Sequence, residues 1–270
     1  MTELNKRIIS AIVLIVLLSA AYWAQGVIGI VGFSLLFVSI GVYEYQKIVF
    51  SHLNLSLVSR GFFFLTCISF LLLAMQSRLN FFASALTLMT TYFSAQIWLL
   101  KSKFENDKIL SILSLSALGF FYCALLPACA IKILLLKSGL YWFLLLLAVV
   151  FTGDVCAYFG GRFFGKKKLM PTLSPSKTVA GAVSGMVGSC LAGALIGYYI
   201  LETSLHISIP TSLMAAFLAQ NGDLIESLMK RVSSVKDSGH LFPGHGGVLD
   251  RLDGIYFAAP IVYFAALYSA

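Results

Sequence analysis

Nine apolar runs of roughly membrane-crossing length fill the chain, and they exclude most soluble folds at once. A transmembrane helix needs about 20 predominantly apolar residues. Candidates fall at Ile8–Ala24, Val27–Tyr43, Gly61–Gln76, Leu79–Leu100, Ile109–Ile131, Leu140–Tyr158, Val179–Leu201, Ser208–Met229 and Gly254–Ser269. Lipid offers no partners to backbone N–H and C=O groups, so such runs close their hydrogen bonds internally, as helices. The expected fold is therefore an all-α polytopic membrane protein with about nine transmembrane helices. The fifth run contains Pro127 and also reads as two re-entrant pieces. Composition agrees: 59% of the 270 residues are hydrophobic and 11% charged, against about 25% charged in soluble domains. A soluble protein this apolar would expose large hydrophobic patches.

The cations set the orientation. With the N-terminus in the cytosol, sixteen of the nineteen Lys and Arg residues fall on the cytosolic side, and only Arg78, Lys132 and Lys137 on the other. Such a bias is the positive-inside pattern. It also explains the net charge of +8 without a nucleic-acid partner. The five cysteines sit in apolar runs with no C-x-x-C pair, so neither a disulfide framework nor a zinc site is expected. The first 138 residues read as N-terminal membrane helices, and residues 139–270 as a catalytic region with cytosolic loops.

Carboxylates are concentrated toward the end of the chain. Five of the eleven acids (Asp223, Glu226, Asp237, Asp250 and Asp253) lie between positions 223 and 253, and Asp154 lies in or at the end of an apolar run. Ionisable groups at membrane depth are costly and are functional candidates by default. Asp223, Glu226, Ser227, Lys230 and Arg231 follow i, i+3, i+4, i+7, i+8 spacing and share one helix face. Glu226 with Lys230 also makes an ordinary intrahelical pair; Asp223 has no such cation on its own helix. Asp250 and Asp253 share a face at a helix start, where capping accounts for one of them. Together with Asp223 they form a set of hard oxygen ligands suited to magnesium. Asp154, Tyr158 and Arg162 stack at intervals of four.

Two loops have the composition of a phosphate site. One runs from Lys236 and Asp237 through His240 and His245 to Gly246 and Gly247; the other joins Gly160, Gly161, Arg162 and Lys166–Lys168 to Ser174, Lys177 and Thr178. Glycines admit phosphate oxygens close to backbone N–H groups. The plainer readings are a flexible connector and a topology signal. The basic stretch 162–168 also suits anionic lipid headgroups. Carboxylates, cations and glycine loops at one membrane face, with no nucleophile triad, point to phosphoryl or nucleotidyl transfer on a lipid.

The segment Ser227-Leu-Met-Lys230-Arg231, four residues, Lys236-Asp237-Ser-Gly-His-Leu-Phe-Pro-Gly-His245-Gly246-Gly247-Val-Leu-Asp250-Arg251-Leu-Asp253 resembles the signature of phosphatidate cytidylyltransferases. Gly222-Asp223-Leu-Ile-Glu226-Ser227, Asp154-x-x-Ala-Tyr158-Phe-Gly-Gly-Arg162 and Ser174-Pro-Ser-Lys177-Thr178 resemble the same family. The resemblance implies transfer of a cytidylyl group from CTP to phosphatidate with magnesium, for phospholipid biosynthesis, in a bacterial-type inner (plasma) membrane with the site on the cytosolic side. It implies a homodimer as well. On this reading Asp223, Asp250 and Asp253 hold the metal. Lys230, Arg231, Lys236, Asp237 and Arg251 serve the reaction, and Ser174, Lys177, His245, Gly246 and Gly247 contact CTP. The family usually has Trp-Glu-Gly after Lys-Thr; this chain has Val179-Ala180-Gly181. A CTP-dependent polyprenol or phytol kinase, a transporter and an altered homologue are the competing readings.

Overall fold

The structure, a computed structural model, describes residue 13 and residues 16–76, 79–235, 237–239, 241 and 246–269. These are predominantly helical, as the apolar runs require. The helices are α1 (Val27–Val49), α2 (Leu57–Ala74), α3 (Phe81–Leu100), α4 (Asn106–Phe120), α5 (Leu126–Leu134), α6 (Gly139–Phe164), α7 (Val179–Tyr199), α8 (Leu205–Val232) and α9 (Leu249–Tyr268). Among the described residues, five stretches are long and apolar enough to cross a membrane: α1, α2, the continuous Asn106–Leu134, α6 and α7. The chain is thus an all-α, multi-pass membrane protein.

Three local features depart from the sequence reading. Pro127 does not split its run into re-entrant pieces. A π-helical turn, Phe121–Leu125, leads into α5, and this wider turn absorbs the lost N–H and the ring clash that proline brings. Helix α1 continues to Val49, past the expected end at Tyr43, because the polar residues Glu44 and Gln46 are buried and not solvated. Finally, the polar stretch after α6 forms a small antiparallel hairpin of β1 (Lys168–Met170) and β2 (Ser174–Thr178), with Lys168 opposite Thr178 and Met170 opposite Ser174.

The chain packs as two compact units. Met1–Ile131 and Ser233–Leu249 form the first. Its core is aromatic: Tyr45, Phe50, Phe63 and Tyr92 are almost fully buried. Phe50 and Phe63 meet edge to face with centroids 5.3 Å apart, a favoured geometry for ring quadrupoles. The Tyr45 hydroxyl donates to the Leu115 carbonyl at 2.7 Å. Gly119 lies where any side chain would strike the Tyr45 ring.

Lys132–Val232 and Asp250–Ala270 form the second unit. Its packing rests on small residues, as expected where lipid removes the hydrophobic drive between helices and close approach takes over. Gly181, Gly185, Gly188, Gly193 and Gly197 line the buried side of α7. A side chain at Gly193 would run into Ser212 of α8, and one at Gly188 into Cys156 of α6. Polar ties cross these seams: Ser189 Oγ donates to the Val149 carbonyl at 2.6 Å, and Gln220 Nε2 to the Ala182 carbonyl at 3.0 Å. The result clamps α6, α7 and α8 together and fixes the polar ends of α6 and α8.

Candidate active site

The site belongs to the second unit and is built mainly from α8. Its spacing predicts a shared face for Asp223, Glu226, Ser227, Lys230 and Arg231. Glu226 is buried, Lys230 is half-buried and Arg231 is exposed. Ser227 Oγ lies 3.5 Å from Asp223 Oδ1, in position to donate to it. Lys230 Nζ lies 2.7 Å from Glu226 Oε2 and 2.5 Å from Asp250 Oδ1. One ammonium therefore ties α8 to the first turn of α9. The intrahelical pair expected from sequence exists, and it is half of a bridge.

Asp223 finds its cation off its own helix. Lys177 of β2 reaches Asp223 Oδ2 at 2.5 Å. The hairpin thus delivers a lysine to α8, and the hydroxyl of the next residue, Thr178, accepts the Gly181 N–H at 3.1 Å as the N-cap of α7. Capping by threonine satisfies an N–H that the helix itself cannot. Helix and lysine are held by adjacent residues.

Asp253, buried on α9, accepts the Gly254 N–H at 2.8 Å. Gly222 on α8 permits this approach, since a side chain there would meet the Asp253 carbonyl. Asp223, Glu226 and Asp253 each place a carboxylate oxygen within 4.8 Å of the other two. Asp154 of α6 interacts electrostatically with Asp223, Lys177 and Arg251. Five carboxylates (Asp154, Asp223, Glu226, Asp250, Asp253) thus gather with three cations (Lys177, Lys230, Arg251), a formal excess of two negative charges. Glu226 Oε1 is buried and has no hydrogen-bond donor among the described residues. A buried orphan oxygen, close carboxylates from two helices and a doubly negative balance fit one divalent cation bound through oxygen.

The structure brings together Asp223, Lys230, Asp250, Asp253 and Lys177 of the sequence-predicted residues. The expected metal set of Asp223, Asp250 and Asp253 shares two members with the close trio. Asp250 joins it through Lys230. Arg251 is exposed on α9, and Ser174 opens β2 directly after the hairpin turn at Pro171–Leu173. Lys236 and His245 lie outside the described residues. Asp237, Gly246 and Gly247 belong to the first unit; Asp237 is exposed, Gly246 adopts φ 83° and Gly247 is buried.

One residue escaped the sequence reading. Glu44 of α1 is 5% exposed and accepts hydrogen bonds from Ser238 Oγ at 3.0 Å and from the N–H groups of Val248 and Leu249 at 3.1 and 3.0 Å. The signal was available: an acid inside an apolar helix. Ending the run at Tyr43 placed it outside.

The model of the cytidylyltransferase family matches residues 5–269. The chain is similar to the phosphatidate cytidylyltransferase of Brucella suis biovar 1, at 33% identity over 285 residues, covering 100% of this chain and 96% of that one. It is similar to the proteins of the same name from Helicobacter pylori and Synechocystis. Identity with the first is 42% over 127 residues, covering 46% of this chain and 47% of the relative. With the second it is 41% over 128 residues, covering 47% and 43%.

Proposed function

The chain belongs to the cytidylyltransferase family, and from that premise we propose that it transfers the cytidylyl group of CTP to phosphatidate, giving CDP-diacylglycerol and pyrophosphate. The observation that carries the reading is the trio of Asp223, Glu226 and Asp253 within 4.8 Å of one another, flanked by Lys177 and Lys230.

A phosphate oxygen of phosphatidate attacks the α-phosphorus of CTP. The bond from that phosphorus to the bridging oxygen breaks, and pyrophosphate leaves with its electron pair. The nucleophile is already an anion, so no strong general base is needed. The barrier lies in bringing two highly negative groups together and aligning them. Asp223, Glu226 and Asp253 would hold magnesium, with Asp250 joined to the group through Lys230. Bound there, the ion supplies charge neutralisation to phosphate oxygens. Lys177 and Arg251 bind phosphate oxygens as fixed cations. Lys177 is held at Asp223 by the Thr178 cap beside it, so its ammonium is placed before substrate arrives. Arg231 at the exposed end of α8 steers the anionic nucleotide inward.

We place the N-terminus and the site on the cytosolic side of a bacterial inner membrane, crossed nine times. The cation asymmetry supports this, and CTP is a cytosolic nucleotide. The chemistry then belongs to residues 139–270.

The test is turnover of labelled CTP by purified protein with phosphatidate and magnesium. Pyrophosphate and CDP-lipid in equal amounts are expected. CDP with a phosphorylated alcohol would move the assignment to a lipid-alcohol kinase, and no turnover by folded protein would leave an altered homologue.

A further inference from the structure

We propose that Glu44 is a positioning residue for cytidylyl transfer: its buried carboxylate clamps the glycine-rich connection that leads into α9, and so sets the turn that carries Asp250 and Asp253. The role in catalysis rests on the function proposed above; the clamp itself does not.

A carboxylate on an apolar helix is expensive unless donors surround it. Glu44 solves this with groups far along the chain. Its Oε2 accepts from Ser238 Oγ at 3.0 Å and from the Leu249 N–H at 3.0 Å, and its Oε1 accepts the Val248 N–H at 3.1 Å. Leu249 is the first residue of α9. The N–H groups at a helix start have no acceptors within the helix, and the positive end of the helix dipole favours an anion there. Glu44 therefore caps α9 from α1, about 200 positions away in sequence. Asp250 follows directly on the second capped residue and Asp253 comes one turn later.

The same carboxylate explains two glycines of the signature. A side chain at Gly247 would place its first carbon 2.5–2.6 Å from both Glu44 carboxylate oxygens, and one at Gly239 would strike the carboxylate carbon at 2.9 Å. Gly239 and Gly247 approach Glu44 this closely only because both positions lack a Cβ. Gly247 is buried against this acid. His52, on the turn after α1, adds a further tie to the start of the connection: its Nε2 lies 3.4 Å from the Ser233 carbonyl.

The experiment compares full-length wild type with Glu44→Gln, Glu44→Ala, Gly239→Ala and Gly239→Ala combined with each Glu44 change. Two readouts are taken: kcat and KM for CTP and phosphatidate, and deuterium uptake at the amides of Val248 and Leu249. Glu44→Gln keeps the shape but turns an N–H toward donors. It is expected to lower kcat by about 10–100-fold, the usual cost of losing a group that orients a ligating residue, with KM for phosphatidate within twofold. Uptake at both amides rises at least tenfold. Gly239→Ala alone does similar damage, yet adds less than twofold to Glu44→Ala, because the clash partner is gone. If Glu44→Ala does not fold, amide exchange in Glu44→Gln decides alone. Unchanged exchange in Glu44→Gln, or losses that simply multiply in the double variant, overturn the clamp. Wild type that makes no CDP-lipid defeats the proposed function alone, and the exchange data still decide on Glu44. Faster exchange with unaltered kcat overturns the positioning role and reduces Glu44 to a structural cap.

Discussion

Replacing Lys230 with Met removes the one ammonium that joins Glu226 to Asp250. The side chain of Lys230 is only 14% exposed, and those of Glu226 and Asp250 are 3% and 7% exposed. Coulomb attraction across 2.5–2.7 Å amounts to roughly 6 kcal/mol per pair at an effective dielectric of about 20. Desolvating three ions offsets most of that sum. What survives in a broken buried pair is the cost of stranded charge, about 3–5 kcal/mol. For a chain of this size that corresponds to a fall in Tm of roughly 6–20 °C, read by thermal unfolding in detergent without added metal. Lys230→Arg keeps a cation and should lose less than half as much. Adding Glu226→Gln to Lys230→Met should recover part of the loss, since the amide needs no counter-charge. A Lys230→Met protein that melts within about 2 °C of wild type refutes the bridge as a stabilising element.

Other outcomes follow from the same geometry. Asp223→Asn should abolish CDP-lipid formation while far-UV circular dichroism and Tm stay near wild type, because Asp223 is the half-exposed member of the trio. Chelation with EDTA should stop turnover and excess magnesium restore it, whereas Asp253→Asn should raise the magnesium concentration needed for half-maximal rate at least tenfold. Gly193→Leu should destabilise the α7–α8 seam by about 1–3 kcal/mol, the range for overpacking, seen as a lower Tm and lower yield of folded protein. A single cysteine placed at Lys167 in a cysteine-free background should react with a membrane-impermeant maleimide only when the cytosolic face is exposed, in inverted vesicles.

The membrane helices were legible because hydropathy runs are local. So was the α8 stripe, since i, i+3, i+4, i+7 spacing makes Asp223, Glu226 and Lys230 neighbours before any tertiary fold is known. Long-range partners were not legible. Nothing in the sequence pairs Lys177 with Asp223, because that contact depends on a hairpin whose strands lack the alternation that marks a half-buried strand. Lys230 reads as half of an intrahelical pair, and only the approach of α9 reveals its second carboxylate. Glu44 was hidden by a boundary: the apolar run ends at Tyr43, while burial of Glu44 and Gln46 carries the helix to Val49. The glycines of the signature read as phosphate contacts because small residues near histidines and lysines have that look; that two of them also make room for Glu44 depends on a contact from far along the chain.

The one departure from the family pattern, Val179-Ala180 in place of Trp-Glu, is answered by the residues around it. These two positions open α7. An acid in a first helical turn contributes about 0.3–1 kcal/mol through the dipole, and α7 has none there. Thr178 takes over the start of the helix by accepting the Gly181 N–H, and the Val179 N–H closes onto the Lys167 carbonyl at 2.9 Å. The hairpin is thereby tied at both ends, and Lys177 still reaches Asp223. Glutamate at this position would add a sixth carboxylate to a region that already carries two negative charges in excess. The chain keeps the cation, the cap and the turn without it, so Val179-Ala180 leaves the Lys177–Asp223 pair of the proposed site in place.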